Sequence, residues 1–485
     1  MTSLPTGRAL GALVLGGLLA APLTAQDNVL LIVADDMGVD RVAAYGQSPT
    51  AGPTPALDTL AQYGVLFESA YANPICSPTR ATILTGRYGF RTGIGTNVSW
   101  EGTDAQTFEL AAGEVSLADH LTTTHRTAVV GKWHLGSERG LGRLHPTSSG
   151  FDLFVGNNQN LGGIPSPPSV YFDWQKTVTA SPSVSFQIQS HTYTTTDNVD
   201  DALDLIHAAT DPWFLWLSFN AAHAPFHVPP PHLTTLNVDD DSSDQRKHRA
   251  AVEAMDTEIE RLLLTMPKDV LERTWVVFVG DNGTQGQALT NQALANQAKG
   301  TLYEMGVHVP LIVAGPGVEA PGRRVSGLVN TTDLFSTILD MAGHTWVEHP
   351  MDSVSLMPYL EDPTQEPLRD WVYTEIFEPN GPGPYTEVQR AVRDERYKLV
   401  HIDRHGVELW GLFDLLRDPT ESENLIGGHG LAPPYWEPFA ELAGVMAQLG
   451  GTDGPRPPTP LGGSSRGASA AGSAPGAPSV AHVPD

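Results

Sequence analysis

Short apolar runs, interrupted only at Ser218, recur along the chain at Val29 to Ala34, Ala128 to Val130, Phe214 to Phe219, Trp275 to Val279 and Leu311 to Ala314. Continuous apolarity, as opposed to alternation, marks a strand covered on both faces, so these runs predict buried parallel strands. Stretches of helical period lie between them: Asp58 to Tyr63, Ser116 to Leu121, Val199 to Ala208 and Arg249 to Leu264. Strands that alternate with helices predict an α/β fold, a large mixed and mainly parallel sheet with helices on both faces. Beyond Trp371 the pattern changes. Tyr397 to Val400 and Glu408 to Leu415 alternate like antiparallel strands, and Trp436 to Leu449 reads as a terminal helix. They predict a smaller C-terminal α+β domain with an antiparallel sheet, closing one wall of a cleft.

The ends of the chain differ in kind. Arg8, an apolar run from Ala9 to Ala21 and then Leu23-Thr24-Ala25 read as a secretory signal cleaved near Gln26. That run is shorter than the roughly 20 residues of a membrane span. From Gly451 onward Gly, Pro, Ala and Ser dominate, a composition that cannot bury enough surface to offset the entropy of ordering. The expected organisation is therefore a signal peptide over 1–25, a catalytic domain over 26–365, a C-terminal α+β subdomain over 366–450 and a disordered tail over 451–485. Residues 157–196, rich in Pro, Ser, Thr and aromatics, read either as a substrate-recognition loop or as a solvent loop with its own small hydrophobic cluster.

Composition narrows the functional classes. The 485 residues carry a formal net charge of -27, which argues against a nonspecific polyanion binder such as a nucleic-acid protein. A single cysteine excludes an internal disulfide, although the predicted secreted or periplasmic location permits one.

The residues directly after the strands are more informative than the strands themselves. Asp35-Asp36 comes after the first run, Lys132 and His134 after the second, His223 after the third and Asp281-Asn282 after the fourth. Ligands of open α/β sheets bind at the carboxyl ends of strands, so four polar clusters at four such ends can converge on one site. Asp281-Asn282-Gly283 is also a common hairpin-turn signal. Taken together, three carboxylates and an amide form an all-oxygen set that suits Ca²⁺ or Mg²⁺ better than Zn²⁺. The only cysteine lies in Cys76-Ser77-Pro78-Thr79-Arg80. Ser77 suits an N-cap and Pro78 the first helical position, which would set Cys76 at a helix N-terminus, a natural seat for an anion.

These segments resemble the sulfatase family, with its alkaline-phosphatase-like fold. Cys76 to Arg80, with Leu84-Thr85-Gly86-Arg87-Tyr88 after it, is similar to the family signature whose cysteine is oxidised to formylglycine by a separate maturase. Gly131-Lys132-Trp133-His134-Leu135-Gly136, Asn220 to Phe226 around His223, and Lys299-Gly300-Thr301-Leu302-Tyr303-Glu304 resemble three further family motifs, in the family's order. Thr54 to Asp58 and Leu412 to Leu415 with Asp418-Pro419 extend the likeness over most of residues 27 to 430. The resemblance implies hydrolysis of aryl or carbohydrate sulfate esters by a formylglycine gem-diol, through a covalent sulfo-enzyme intermediate. It implies one Ca²⁺ held by Asp35, Asp36, residue 76, Asp281 and Asn282. Arg80, Lys132, His134, His223 and Lys299 would complete the catalytic set, with His223 and Lys299 serving the leaving alcohol and His134 the second hydroxyl. One departure stands out: Met305-Gly306-Val307-His308 replaces the family's usual Gly-Gly-x-Arg. The alternatives are a phosphonate or phosphate ester hydrolase of the same superfamily and, from another class, a sulfated-glycan binding protein without turnover.

Overall fold

The computed structural model describes residues 26–162, 166–180, 184–289, 291–344, 352–427 and 430–450. The expected signal peptide and tail lie outside them. Ten strands form one sheet: β1 (Asn28–Ala34), β2 (Val65–Tyr71), β3 (Arg126–Lys132), β4 (Leu153–Asn157), β5 (Trp174–Ala180), β6 (Val184–Ser190), β7 (Trp213–Ser218), β8 (Thr274–Gly280), β9 (Leu311–Ala314) and β10 (Arg323–Asn330). Their order is β10-β2-β9-β8-β1-β7-β3-β4-β5-β6. The sheet is mixed and mainly parallel, as the apolar runs predict.

β1 shows why its apolar run is unbroken. Val29, Leu31 and Val33 enter one core, while Leu30, Ile32 and Ala34 enter another on the opposite face. Because successive side chains of a strand point to opposite sides, a strand buried on both must be apolar at every position. Helices α1 (Pro55–Tyr63), α4 (Thr194–Ala208) and α5 (Asp244–Thr265) cover the second face. On the first lie α2 (Cys76–Thr85), α3 (Leu117–Leu121) and α6 (Leu334–Met341).

Several expectations need correcting. Leu311–Ala314 is antiparallel to both its neighbours, because the chain leaving β8 crosses the sheet's end and returns beside it, Gly280 N–H meeting Pro310 O at 3.1 Å. A short apolar run fixes burial but not direction. Residues 157–196 are not simply a loop. They carry the β5–β6 hairpin, which extends the sheet at one edge, and Tyr171, Trp174 and Tyr193 form a small separate core with Leu161 and Leu233. The helix at Cys76 begins without a side-chain cap, Ile75 taking the N-cap position. Ser77 is instead held by tertiary bonds, donating to His134 O at 2.7 Å and accepting from Val98 N–H at 3.1 Å.

The C-terminal part folds as expected into an antiparallel meander, β11 (Val372–Glu378), β12 (Glu387–Arg393), β13 (Tyr397–Arg404) and β14 (Val407–Asp414), with helix α7 (Trp436–Gly450) against it. Its seam with the large sheet combines an apolar contact of Val372 with Tyr71, Val307 and Leu328 and a group of ion pairs. Lys398 bridges Glu304 (3.1 Å) and Glu421 (2.9 Å), and Arg393 reaches Glu304 at 3.3 Å. In the Met305–His308 segment, His308 stacks on Tyr71 with ring centroids 5.1 Å apart. The cationic partners of Glu304 thus come from β12 and β13. Among the described residues, no helix is long and apolar enough to cross a membrane.

Asp256 of α5 accepts hydrogen bonds from Ala56 and Leu57 N–H at 2.9 Å each, satisfying the first turn of α1. Burial raises its carboxyl from 3.8 to about 7, against the pull of those two donors. The folded protein therefore keeps a proton that the unfolded chain releases. This contribution to stability is complete below the unfolded value and is lost as pH rises through about 7. Urea midpoints between pH 5 and 8 should fall less steeply with pH in Asp256→Asn than in the parent protein.

Candidate active site

Four strands deliver their C-terminal residues to one point. Asp35 and Asp36 follow β1, Lys132 ends β3, Asp281 and Asn282 follow β8, and His223 follows β7 after a short loop. Because β1 pairs directly with β7 and β8, and β7 with β3, parallel alignment puts these ends side by side. Gly131, at φ +96, is required for that approach: a Cβ there would lie 1.9 Å from Ser218 O. Asp36 (φ 59) and His134 (φ 63) also hold left-handed conformations uncommon outside glycine, a backbone strain found preferentially at functional sites.

Cys76 opens α2 directly above these ends. Its thiol donates to Asp35 Oδ1 at 3.3 Å, and Lys132 Nζ lies 2.6 Å from Asp35 Oδ2 and 3.5 Å from the sulfur. One turn along, Arg80 sends Nε and one terminal nitrogen to Asp281 Oδ2 at 3.1 and 2.8 Å. The other terminal nitrogen bonds Lys132 O (3.0 Å) and Ser218 Oγ (2.5 Å). Lys299 Nζ reaches Asp36 at 3.1 Å and His223 Nε2 stands 3.9 Å from the same carboxylate. All ten residues that the sequence motifs assign to the site are buried apart from the partly covered Lys299, and all except His134 are joined by the polar contacts above or by the Asn282–Asp36 bond below. His134 reaches the cluster through its backbone carbonyl, which accepts from Ser77.

The electrostatics divide these groups. Burial opposes ionisation of Asp35, yet Lys132, His223, Arg80 and Lys299 together hold its carboxyl well below the usual range. Burial and the neighbouring Asp35 push Asp281 up to about 6. Burial, Asp281 and Asp35 raise the Cys76 thiol. Burial, then Lys132 and Arg80, lower His134 well below an ordinary imidazole. His223 goes the other way: burial and Lys299 oppose its charge, but Asp36 and Asp35 prevail and raise it.

Asp35, Asp36, Cys76 and His223 present potential ligand atoms within 4.8 Å of one another. Asp281 and Asn282 close the group. Asp281 Oδ1 accepts from Asp36 N–H at 3.2 Å, and the Asn282 amide nitrogen donates to Asp36 Oδ1 at 2.8 Å. That bond fixes the orientation of the amide and leaves Asn282 Oδ1 buried without a hydrogen-bond partner. A carbonyl oxygen stranded beside three carboxylates fits a hard cation, whereas His223, with its raised proton affinity, is the poorer ligand of the group.

Sequence reasoning missed three contributors. Ser218 is the last residue of β7, and its polarity at the end of an apolar strand was a usable signal. His248 of α5, whose ring nitrogen meets Asp36 O at 3.2 Å, gave none. His227, four residues beyond His223, is buried and stacked on Tyr171 with centroids 3.7 Å apart.

Comparison with known proteins identifies the family. The chain belongs to the sulfatase family: the Sulfatase family model matches residues 27–344, and the model for the C-terminal part of N-sulphoglucosamine sulphohydrolase matches 297–434. It is 33% identical over 349 residues to N-acetylgalactosamine-6-sulfatase of Canis lupus familiaris, covering 67% of this chain and 64% of that protein, so it spans a little under two thirds of that relative. Human arylsulfatase A is 28% identical over 472 residues, covering 87% and 88% of the two chains. The fold is shared with BT4656, solved in complex with its substrate D-glucosamine-2-N,6-O-disulfate, at TM-score 0.68 and 21% identity over 87% of this chain and 97% of that one.

Removing Arg80 leaves Asp281 buried without its charge partner, which costs about 3–5 kcal/mol when a buried ion pair is broken from one side. Arg80→Met should lower the denaturation midpoint accordingly, and adding Asp281→Asn should recover part of the loss in a double-mutant cycle.

Proposed function

We propose that the protein hydrolyses sulfate monoesters, with sulfated saccharides as the substrate class. The observation that carries this reading is the meeting of Cys76, at the start of α2, with Asp35 and Lys132 at 3.3 and 3.5 Å. Family membership supports the chemistry. The sugar preference is supported by the relative named N-acetylgalactosamine-6-sulfatase.

Conversion of Cys76 to formylglycine by a maturase would supply a hydrated carbonyl, with one hydroxyl to attack sulfur and a second whose proton loss releases sulfate. Calcium, held by Asp35, Asp36, Asp281, Asn282 and residue 76, would supply positive charge against the sulfate and the attacking oxygen. The remaining work falls to side chains. Lys132 and Lys299 face the sulfate oxygens and offset the charge that builds there in the transition state. Arg80 fixes Asp281 and so the floor on which residue 76 rests. His223, which retains its proton, donates it to the departing alcohol. His134 stays neutral, has a buried Nδ1 without a partner, and takes up a proton. Opposite shifts in two imidazoles are what an acid and a base in one site require. Residues 1–25 act as the secretory signal in this reading, and the enzyme works outside the cytoplasm.

Two outcomes test the assignment. With residue 76 checked by mass for replacement of sulfur by oxygen, the parent protein should cleave members of a panel of sulfated saccharides, whereas Cys76→Ser loses steady-state turnover; unchanged turnover in that variant overturns the role of residue 76. Calcium at about 100 times its dissociation constant should stabilise the fold by about 2.7 kcal/mol. Thermal unfolding with calcium and with chelator measures this, and Asn282→Leu should shrink the difference.

A further inference from the structure

The loop that carries His223 is braced from beneath by aromatic residues of the β4–α4 segment. Tyr171, 1% exposed, points its hydroxyl between two carbonyls of that loop, 2.7 Å from Asn220 O and 2.7 Å from His223 O. Its own carbonyl accepts from Thr194 Oγ1 at 2.9 Å, which ties it to the first residue of α4. His227 lies flat on its ring. Burial lowers His227 to about 4, so the imidazole is neutral and its two bonds define the tautomer. Nδ1–H donates to Pro225 O at 3.2 Å, and Nε2 accepts from Tyr193 O–H at 2.9 Å. Three carbonyls of the loop, at Asn220, His223 and Pro225, are thus held by two stacked rings.

The loop is anchored on its other side as well. Asn220 and Asn157 exchange reciprocal amide bonds at 2.8 and 2.9 Å, and His223 Nδ1 turns back onto Ala224 O at 2.6 Å. With Nδ1 occupied, Nε2 is the nitrogen left to face the carboxylates and Cys76. A hydroxyl that grips the backbone of His223 therefore sets where Nε2–H points.

We propose that Tyr171, seated on His227, is a positioning residue that aims the Nε2 proton of His223 at the leaving oxygen. This inference rests on the hydrolase reading above. As the bond from sulfur to the alcohol oxygen breaks and the sulfuryl group passes to the nucleophile at residue 76, that proton passes to the departing oxygen. A nitrophenolate departs well without a proton; a sugar or alkyl alkoxide does not. Misaiming the acid therefore penalises poor leaving groups selectively, a signature that general loss of stability would not produce.

Tyr171→Phe removes the hydroxyl and keeps the stack. With residue 76 verified as the aldehyde, kcat/KM should fall about 10- to 100-fold on a sugar sulfate or alkyl sulfate, within the range for a displaced general acid, with the loss mainly in kcat. On 4-nitrophenyl sulfate the loss should be several-fold smaller. Hydrogen exchange, read by mass spectrometry on the same protein, should quicken over residues 219–227 and not across the central strands. Equal losses on both esters, no loss, or unchanged exchange in the loop each overturn the positioning role. Should the variant prove too unstable to assay, Tyr193→Phe, which loosens His227, is expected to give the same split to a smaller degree, and its absence there is equally decisive. A verified parent protein that cleaves none of the esters defeats the hydrolase reading itself, and the positioning role with it.

Discussion

Everything at the centre of this molecule is arranged around three carboxylates taken out of water together. Asp35, Asp36 and Asp281 are each fully buried, and like charges so confined repel strongly in a medium of low polarisability. The fold answers with one cation apiece: Lys132 on Asp35, Lys299 on Asp36 and Arg80 on Asp281. Each pair joins residues distant in sequence, so the balance exists only once the strand ends are aligned. Parallel pairing of β8, β1, β7 and β3 is therefore as much an electrostatic requirement as a packing one.

Much of this was legible in the sequence because the inner stretches of the central strands are apolar without a break, with polar residues only at their ends. Polar residues shortly after such runs stand out, and that pattern groups Asp35, Lys132, His223 and Asp281. The flanks were harder. β2 contains Glu68 and Ser69 at half-covered positions, which breaks the apolar run. The β5–β6 hairpin turns Val184, Phe186 and Ile188 outward, the reverse of the pattern by which strands are recognised. Cap chemistry misled at Ser77, whose hydroxyl serves the turn at His134 and not its own helix. Direction was illegible at β9 because it depends on the path of the connection.

The partners of Glu304 come from far along the chain. Where Met305 and His308 depart from the family pattern, Glu304 finds Lys398 and Arg393 across the seam, and the Tyr71 ring meets both His308 and the Arg393 guanidinium. The antiparallel sheet is thereby fastened to the loop that bears Lys299. A change in β12 or β13 would be felt at the site through that loop, without any residue of the smaller sheet touching Asp36.

Helix α2 is interior throughout: each of its ten residues is buried, Cys76 among them. A second polypeptide could not draw this helix into a cleft of its own without dismantling the first core, to which Ala81, Ile83 and Leu84 belong. It could reach the Cys76 side chain only where α2 is not docked against that core. In the docked helix the Cys76 side chain is as sheltered as any residue of the first core.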